Sequence, residues 1–228
     1  MNSRIVSYVS KFLFLLAGLL AGIVPAESEK LPRLRWSEQL AHELDYDHTI
    51  ANTGELTPTE RADLLAFVLD RFNHPVTAHD ADMFSGISDD DLRRLASQTR
   101  IELIDLNGDG RNEIVAQGNG LGPCGGTGNC IVLVMCETSK GIQLLLDSRA
   151  GEYGGGFAEI LVQKTRSNGF RDITLASHVS ASDRTLEVFH FVEGKYVRSV
   201  CYYSTLMPNG FPEGLKNPKI SKGCPGEK

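Results

Sequence analysis

From Ile101 onward the chain is a succession of short apolar segments broken by glycine turns, and this texture restricts the fold more than any other feature. The spacing predicts strands near 101–104, 112–117, 130–137, 141–147, 157–164, 171–178, 184–192 and 195–203. Lys140-Gly141, Asn168-Gly169 and Glu193-Gly194-Lys195 supply hairpin turns between them. Consecutive short strands with short connections form an antiparallel meander. The meander repeats: Gly110-Arg111-Asn112-Glu113-Ile114 parallels Gly169-Phe170-Arg171-Asp172-Ile173. Two copies are too few to close a propeller ring, so an exposed sheet face must be covered by something else.

Residues 27–99 supply that cover as helices. Thr57-Pro58-Thr59-Glu60 carries a capping threonine, a first-turn proline and the glutamate of a capping box. Leu65, Val68, Leu69 and Phe72 then recur at helical spacing, and Asn73-His74-Pro75 ends the run. A second start lies at Ser88-Asp89-Asp90-Asp91, whose acids suit the positive end of a helix dipole. Trp36 to Leu44 is read as a further helix. The expected class is α+β: N-terminal helices packed on an antiparallel β-meander of two propeller-blade-like repeats.

Residues 1–26 read as a cleavable signal peptide: basic Arg4 and Lys11, an apolar run from Phe12 to Val24, and Val24-Pro25-Ala26 before the cut. That run is too short for a hydrocarbon core needing about 20 residues, and no later segment is apolar enough to span a membrane. The organisation is then 1–26 signal peptide, 27–99 helical region, 100–204 meander and 205–228 tail. The whole sequence carries a formal charge of −6, and cleavage removes only positive charge. Such an acidic surface argues against nucleic acid and anionic membrane as partners. Export places all five cysteines where disulfides persist. Cys124 and Cys130 flank a flexible Gly-rich stretch and form the easiest pair. Cys201 with Cys224 would tie down the tail, which leaves Cys136 as a thiol in the apolar run Ile131–Cys136.

The most specific local signal is Asp105-Leu106-Asn107-Gly108-Asp109-Gly110-Arg111-Asn112-Glu113. Oxygen side chains fall at positions 1, 3, 5 and 9, Arg111 can offer its carbonyl, and Gly110 allows the turn. Hard oxygen donors with three carboxylates suit Ca²⁺. The same residue types also close plain turns without metal. Position 12, where an EF-hand has its bidentate glutamate, is Ala116, and both flanks read as strands. The arrangement resembles the calcium loops of FG-GAP/VCBS-type repeats, as in integrin-like β-propellers, over roughly residues 101–146. The resemblance implies Asp105, Asn107, Asp109 and Glu113 as side-chain ligands of a structural Ca²⁺ that braces a hairpin. In the second copy Lys164, Arg166, Asn168 and Asp172 stand at these places, so that copy should hold no metal.

Gly118–Cys130 is a candidate binding loop, with Gly120, Gly122, Gly125, Gly126, Thr127 and Asn129 as its contact residues and Glu152–Gly156 as a neighbouring segment. The alternative is a long hairpin connection. No nucleophile elbow or metalloprotease helix is present, and His74, His79, Asp80 and Asp82 read as a solvated acidic connection. His178 and His190 are placed as facing neighbours on adjacent strands. The expected function is non-enzymatic binding of a protein or envelope polymer by an exported periplasmic or extracellular protein. An inhibitor or immunity-type protein, a hydrolase with a scattered site and an envelope-maintenance protein are the alternatives.

Overall fold

The computed structural model describes residues 40–44, 48–74, 76, 78–150, 156–181, 183–205 and 219–224. The expected signal peptide, Trp36–Gln39 and Glu152–Gly155 lie outside the described residues, as do 206–218 and 225–228 of the tail.

The class is α+β. Strands β1 (Leu40–Glu43) and β2 (His48–Thr49) precede helices α1 (Pro58–Asn73), α2 (Ala78–Phe84) and α3 (Asp89–Ser97). A first meander follows: β3 (Arg100–Ile104), β4 (Glu113–Gln117), β5 (Val132–Thr138) and β6 (Gly141–Asp147). The second comprises β7 (Glu159–Ser167), β8 (Phe170–His178), β9 (Asp183–Val192) and β10 (Lys195–Thr205). A last strand, β11 (Lys219–Lys222), lies in the tail. The first sheet runs β2-β3-β4-β5-β6 and the second β1-β7-β8-β9-β10-β11. All pairings are antiparallel. Both sheets are open, with no closed barrel or propeller ring among the described residues.

Alternation along β4 and β5 sets the layering. Val115, Val132 and Val134 join the core shared with the second sheet, which supplies Val162, Ile173, Leu175, Phe189 and Phe191. Ile114, Ala116, Leu133 and Met135 face the other way, onto Leu64, Val68 and Phe72 of α1 and Leu92 and Leu95 of α3. The order of layers is therefore helices, first sheet, second sheet, and the central strands are buried on both faces. Each large apolar side chain buried this way contributes roughly 1.5–3 kcal/mol.

Helix α1 begins as its sequence dictates. Thr57 Oγ1 accepts from Glu60 N while Glu60 Oε2 accepts from Thr57 N, closing the capping box. Its buried stripe centres on Leu64, Val68 and Phe72, with Leu65 and Leu69 only partly buried. Ser88 caps α3 through Asp91 N.

Three expectations need correction. Leu40–Glu43 is a strand instead of the end of a helix, because it pairs with β7 (Leu40 opposite Gln163, Glu43 opposite Leu161). Sheet pairing there satisfies the backbone of a segment with no capping signal. The acidic connection after α1 contains α2, held by Phe84 stacking on Phe72 at 5.3 Å between ring centroids. His178 and His190 do not face each other: His178 lies opposite Arg184, and His190 Nε2 sits 3.9 Å from Asp172 Oδ2 farther along the sheet.

Candidate functional site

Residues 105–112 connect β3 to β4, and their side chains close the turn on itself. Asp105 Oδ1 accepts from Gly108 N at 2.6 Å and Oδ2 from Gly110 N at 3.0 Å. Asn107 Oδ1 accepts from Asp109 N, and Asp109 Oδ1 from Arg111 N. Gly108 and Gly110 adopt φ of 82° and 85°, a region that favours glycine. Glu113 opens β4 facing the second sheet and is only 3% exposed. Its Oε2 accepts from Leu106 N at 2.8 Å and its Oε1 from Asn107 Nδ2 at 3.2 Å.

These donors fit a hard cation in chemical kind. Burial, with the charges of Asp109 and Asp105, holds the Glu113 carboxyl above the usual carboxylate range. Burial alone would raise the Asp105 carboxyl, yet the backbone donors Gly108, Gly110 and Asp109 and the charge of Arg166 bring it below its ordinary value. The Asn107 amide nitrogen also donates to Asp109 Oδ2 at 3.0 Å, so it bridges Asp109 and Glu113 as a cation would. Asp105, Asp109 and Glu113 are not drawn together as a trio. Among the described residues the one set of three such ligands within 4.8 Å of one another is Glu187, Cys201 and Cys224, whose two sulfurs form a disulfide.

The second meander docks onto this turn. Arg166 Nη1 donates to Leu106 O at 3.1 Å and Gly169 O at 2.6 Å, and Arg171 N donates to the same Leu106 carbonyl at 2.8 Å. The guanidinium lies against Gly108, where an added Cβ would be 3.5 Å from Nη2. Arg166, on β7 of the second meander, thus sits on the acidic turn of the first. Asn168 turns at φ 48° and donates to Phe191 O, and Asp172 is buried on β8. Cys136 is the free thiol among the described residues. Burial and the charge of Glu113 push it up, away from the thiolate a nucleophile needs.

The Gly118–Cys130 segment is built and anchored. Cys124 and Cys130 form the expected disulfide, as do Cys201 and Cys224. Gly118 N bonds Ile131 O, Ile131 N bonds Pro123 O, and Gly125 N bonds Asn129 O. Asn129 does not wait for a ligand: Nδ2 donates to His178 O at 2.9 Å and Oδ1 accepts from His178 N at 2.8 Å. Cys130 and Phe157 exchange backbone hydrogen bonds, stitching the loop base to the second sheet. Gly120 and Gly122 approach Leu95, Ile87 and Phe84 on the helical side. Gly125, Gly126 and Thr127 are exposed, and Leu121 between its two glycines is 85% exposed. The pairings with His178 and Phe157 and the approach to the helices are long-range and could not be read from the loop's own composition.

Gly156 shows how tightly the base is fitted. A Cβ there would lie 2.5 Å from the carbonyl carbon and oxygen of Asn129 and 2.6 Å from Cys130 N, all backbone atoms that cannot step aside. Gly156→Ala is expected to cost about 1–3 kcal/mol in unfolding free energy. Its nuclear magnetic resonance shifts should move at Asn129 and Cys130, while those of β3 and β4 stay in place.

The chain matches no protein-family model, no curated protein and no solved structure.

Proposed function

We propose that this is an exported, non-enzymatic binding protein of the periplasm or the extracellular medium, presenting the Gly118–Cys130 loop to a protein or envelope polymer. Leu121 carries the reading. A large apolar side chain 85% exposed in the hydrogen-bonded turn that leads into the Cys124–Cys130 disulfide has no role in the core. Such a side chain fits the anchor of an interface, and a preordered loop lowers the entropy lost on binding. A plug entering an enzyme's cleft, as an inhibitor or immunity-type protein would use, suits the same geometry.

Two disulfides fit an oxidising compartment, and no described helix is long and apolar enough to cross a membrane. The Asp105–Glu113 turn is read as a brace in the FG-GAP/VCBS manner. Asp105, Asn107, Asp109, Glu113 and the Arg111 carbonyl would hold Ca²⁺, which supplies positive charge to a turn rich in carboxylates and stiffens the β3–β4 hairpin. Gln117 Nε2, donating to Phe157 O at 2.8 Å, joins the same hairpin to the loop base.

Leu121→Ser tests the reading, because the substitution removes apolar surface without touching the loop's hydrogen bonds. A photo-crosslinker placed at Thr127 should capture the same partner from envelope fractions with the wild-type loop, and at least about tenfold less with the serine variant, equivalent to 1.4 kcal/mol. Equal capture by the two proteins, with identical melting curves, would sink the assignment of this loop.

A further inference from the structure

We infer that the free edge of β6, together with the acidic flank of α1, is a docking groove for an extended basic polypeptide segment, which adds to the first sheet as a sixth strand. This proposal is independent of the Gly118–Cys130 loop.

Open edges are normally kept short or guarded by charge, proline or bulges, because their unpaired N–H and C=O groups recruit other strands. Three edges here follow that rule: β2 has two residues, and β1 and β11 have four each. The fourth does not. β6 is seven residues, Gly-Ile-Gln-Leu-Leu-Leu-Asp, with no proline and no charge before Asp147. Its one irregularity is a register shift beside Leu145, beyond the accessible stretch Gly141–Leu144. It pairs with β5 on one side, and among the described residues no strand pairs with the other.

The edge borders a cavity of about 590 Å³ between α1 and the β5–β6 hairpin. Glu60, Asp63 and Asp70 form one wall along α1, Glu137 stands on the hairpin, and Phe67 and Ile142 provide apolar surface. No basic side chain lines it. Glu60 is spent on its cap and Asp70 faces His74 at 3.1 Å, whereas Asp63 and Glu137 make no ion pair among the described residues. A second cavity of about 420 Å³ shares Glu60 and Glu137 and adds Glu55, Asp109 and Glu113 against a single base, Arg111. Unpaired backbone groups alone would accept any strand. The carboxylate wall selects one whose alternate side chains are lysine or arginine, with their aliphatic stems on Phe67 and Ile142 and their charges at Asp63 and Glu137. Side chains of an added strand alternate between faces, so every second residue meets that wall.

The test uses the full disulfide-bonded chain and a fluorescent peptide of about eight residues alternating lysine and threonine. Saturable binding by anisotropy at low salt is expected, with none for the glutamate–threonine counterpart. Asp63→Lys with Glu137→Lys, both exposed, should weaken binding at least about tenfold and leave the melting curve unchanged. A peptide N-methylated at alternate amides should lose a similar factor, because strand addition needs those N–H groups. The proposal is overturned by any of three results: no binding of the lysine peptide, equal binding of the N-methylated peptide, or peptide-free dimers that vanish when β6 is altered.

Discussion

Asp147→Ala is expected to lower the unfolding free energy by about 3–5 kcal/mol, the cost typical of removing one partner from a buried ion pair. Arg149 is 1% exposed and the largest fully buried side chain among the described residues. Its Nε and Nη2 bond the two Asp147 oxygens at 2.9 and 2.8 Å, and its Nη1 donates to Arg71 O at 2.8 Å. Arg71 Nη2 reaches Asp147 Oδ2 at 3.0 Å. One carboxylate thus joins the end of β6 to the last turn of α1. Removing it strands a guanidinium in a place water does not reach, whereas replacing both charges with apolar side chains does not. The pair Asp147→Leu/Arg149→Met should therefore recover most of the loss in urea denaturation at pH 7. If the single variant lost under about 1 kcal/mol, the cluster would be no more than a surface ion pair.

The same group sets a pH dependence. Burial by itself would raise the Asp147 carboxyl, but the hydrogen bonds and charge of Arg149, with the hydrogen bond from Arg71, hold it below its ordinary value. A folded-state value below the unfolded one means the contribution is complete above about pH 4 and is lost as pH falls through the folded value. Wild-type stability should fall along this limb, and the Leu/Met pair should show a shallower one. Salt should change it little, because buried charges are poorly screened.

The strands of both meanders were legible because turn glycines and apolar runs mark strands locally. β6 matches its expected limits, and β8 and β9 match theirs within one residue at each end. Both disulfides were readable for the same reason, since short Gly-rich spacing and a coreless tail leave few pairings. What the sequence did not show depends on partners far along the chain. β1 is a strand only because β7, about 120 positions on, offers it an edge. The Arg149 cluster is invisible in Asp147-Ser148-Arg149, because its burial comes from α1. Arg166 looked like the loss of a ligand position, and its role as the cation resting on the neighbouring turn needed the two hairpins side by side. The acidic groove was hidden likewise, because Asp63 and Asp70 of α1 come beside Gly141 and Ile142 of β6 only in the fold.

Calcium is expected to raise the melting temperature by roughly 5–10 °C when present at a hundredfold its dissociation constant. At that concentration a ligand specific for the folded state adds about 2.7 kcal/mol, and a chain of this size gains about 2–4 °C per kcal/mol. The shift should come with one calorimetric site, and magnesium should give less, since a turn of mixed oxygen donors suits the larger ion's irregular shell. Asp105→Ala should abolish the response, because its two oxygens anchor both Gly108 N and Gly110 N and without them the turn has no fixed shape to offer a cation. Asp105→Asn separates charge from shape: it keeps an acceptor for the turn and should melt close to wild type in chelator, yet show a much weaker calcium shift. Arg166→Gln probes the opposite side. Removing the guanidinium beside Gly108 leaves the carboxylates of Asp105, Asp109 and Glu113 with less neutralising charge. The variant should be less stable than wild type in chelator and gain more from calcium. If Arg166→Gln gains no more than wild type, the guanidinium and the ion do not share a field. A flat wild-type titration would mean that the Asn107 amide and Arg166 complete the turn without metal. The brace would then be the hydrogen bonds from Arg166 and Arg171 to Leu106 O, and Arg166→Gln would still weaken the joint between the two sheets.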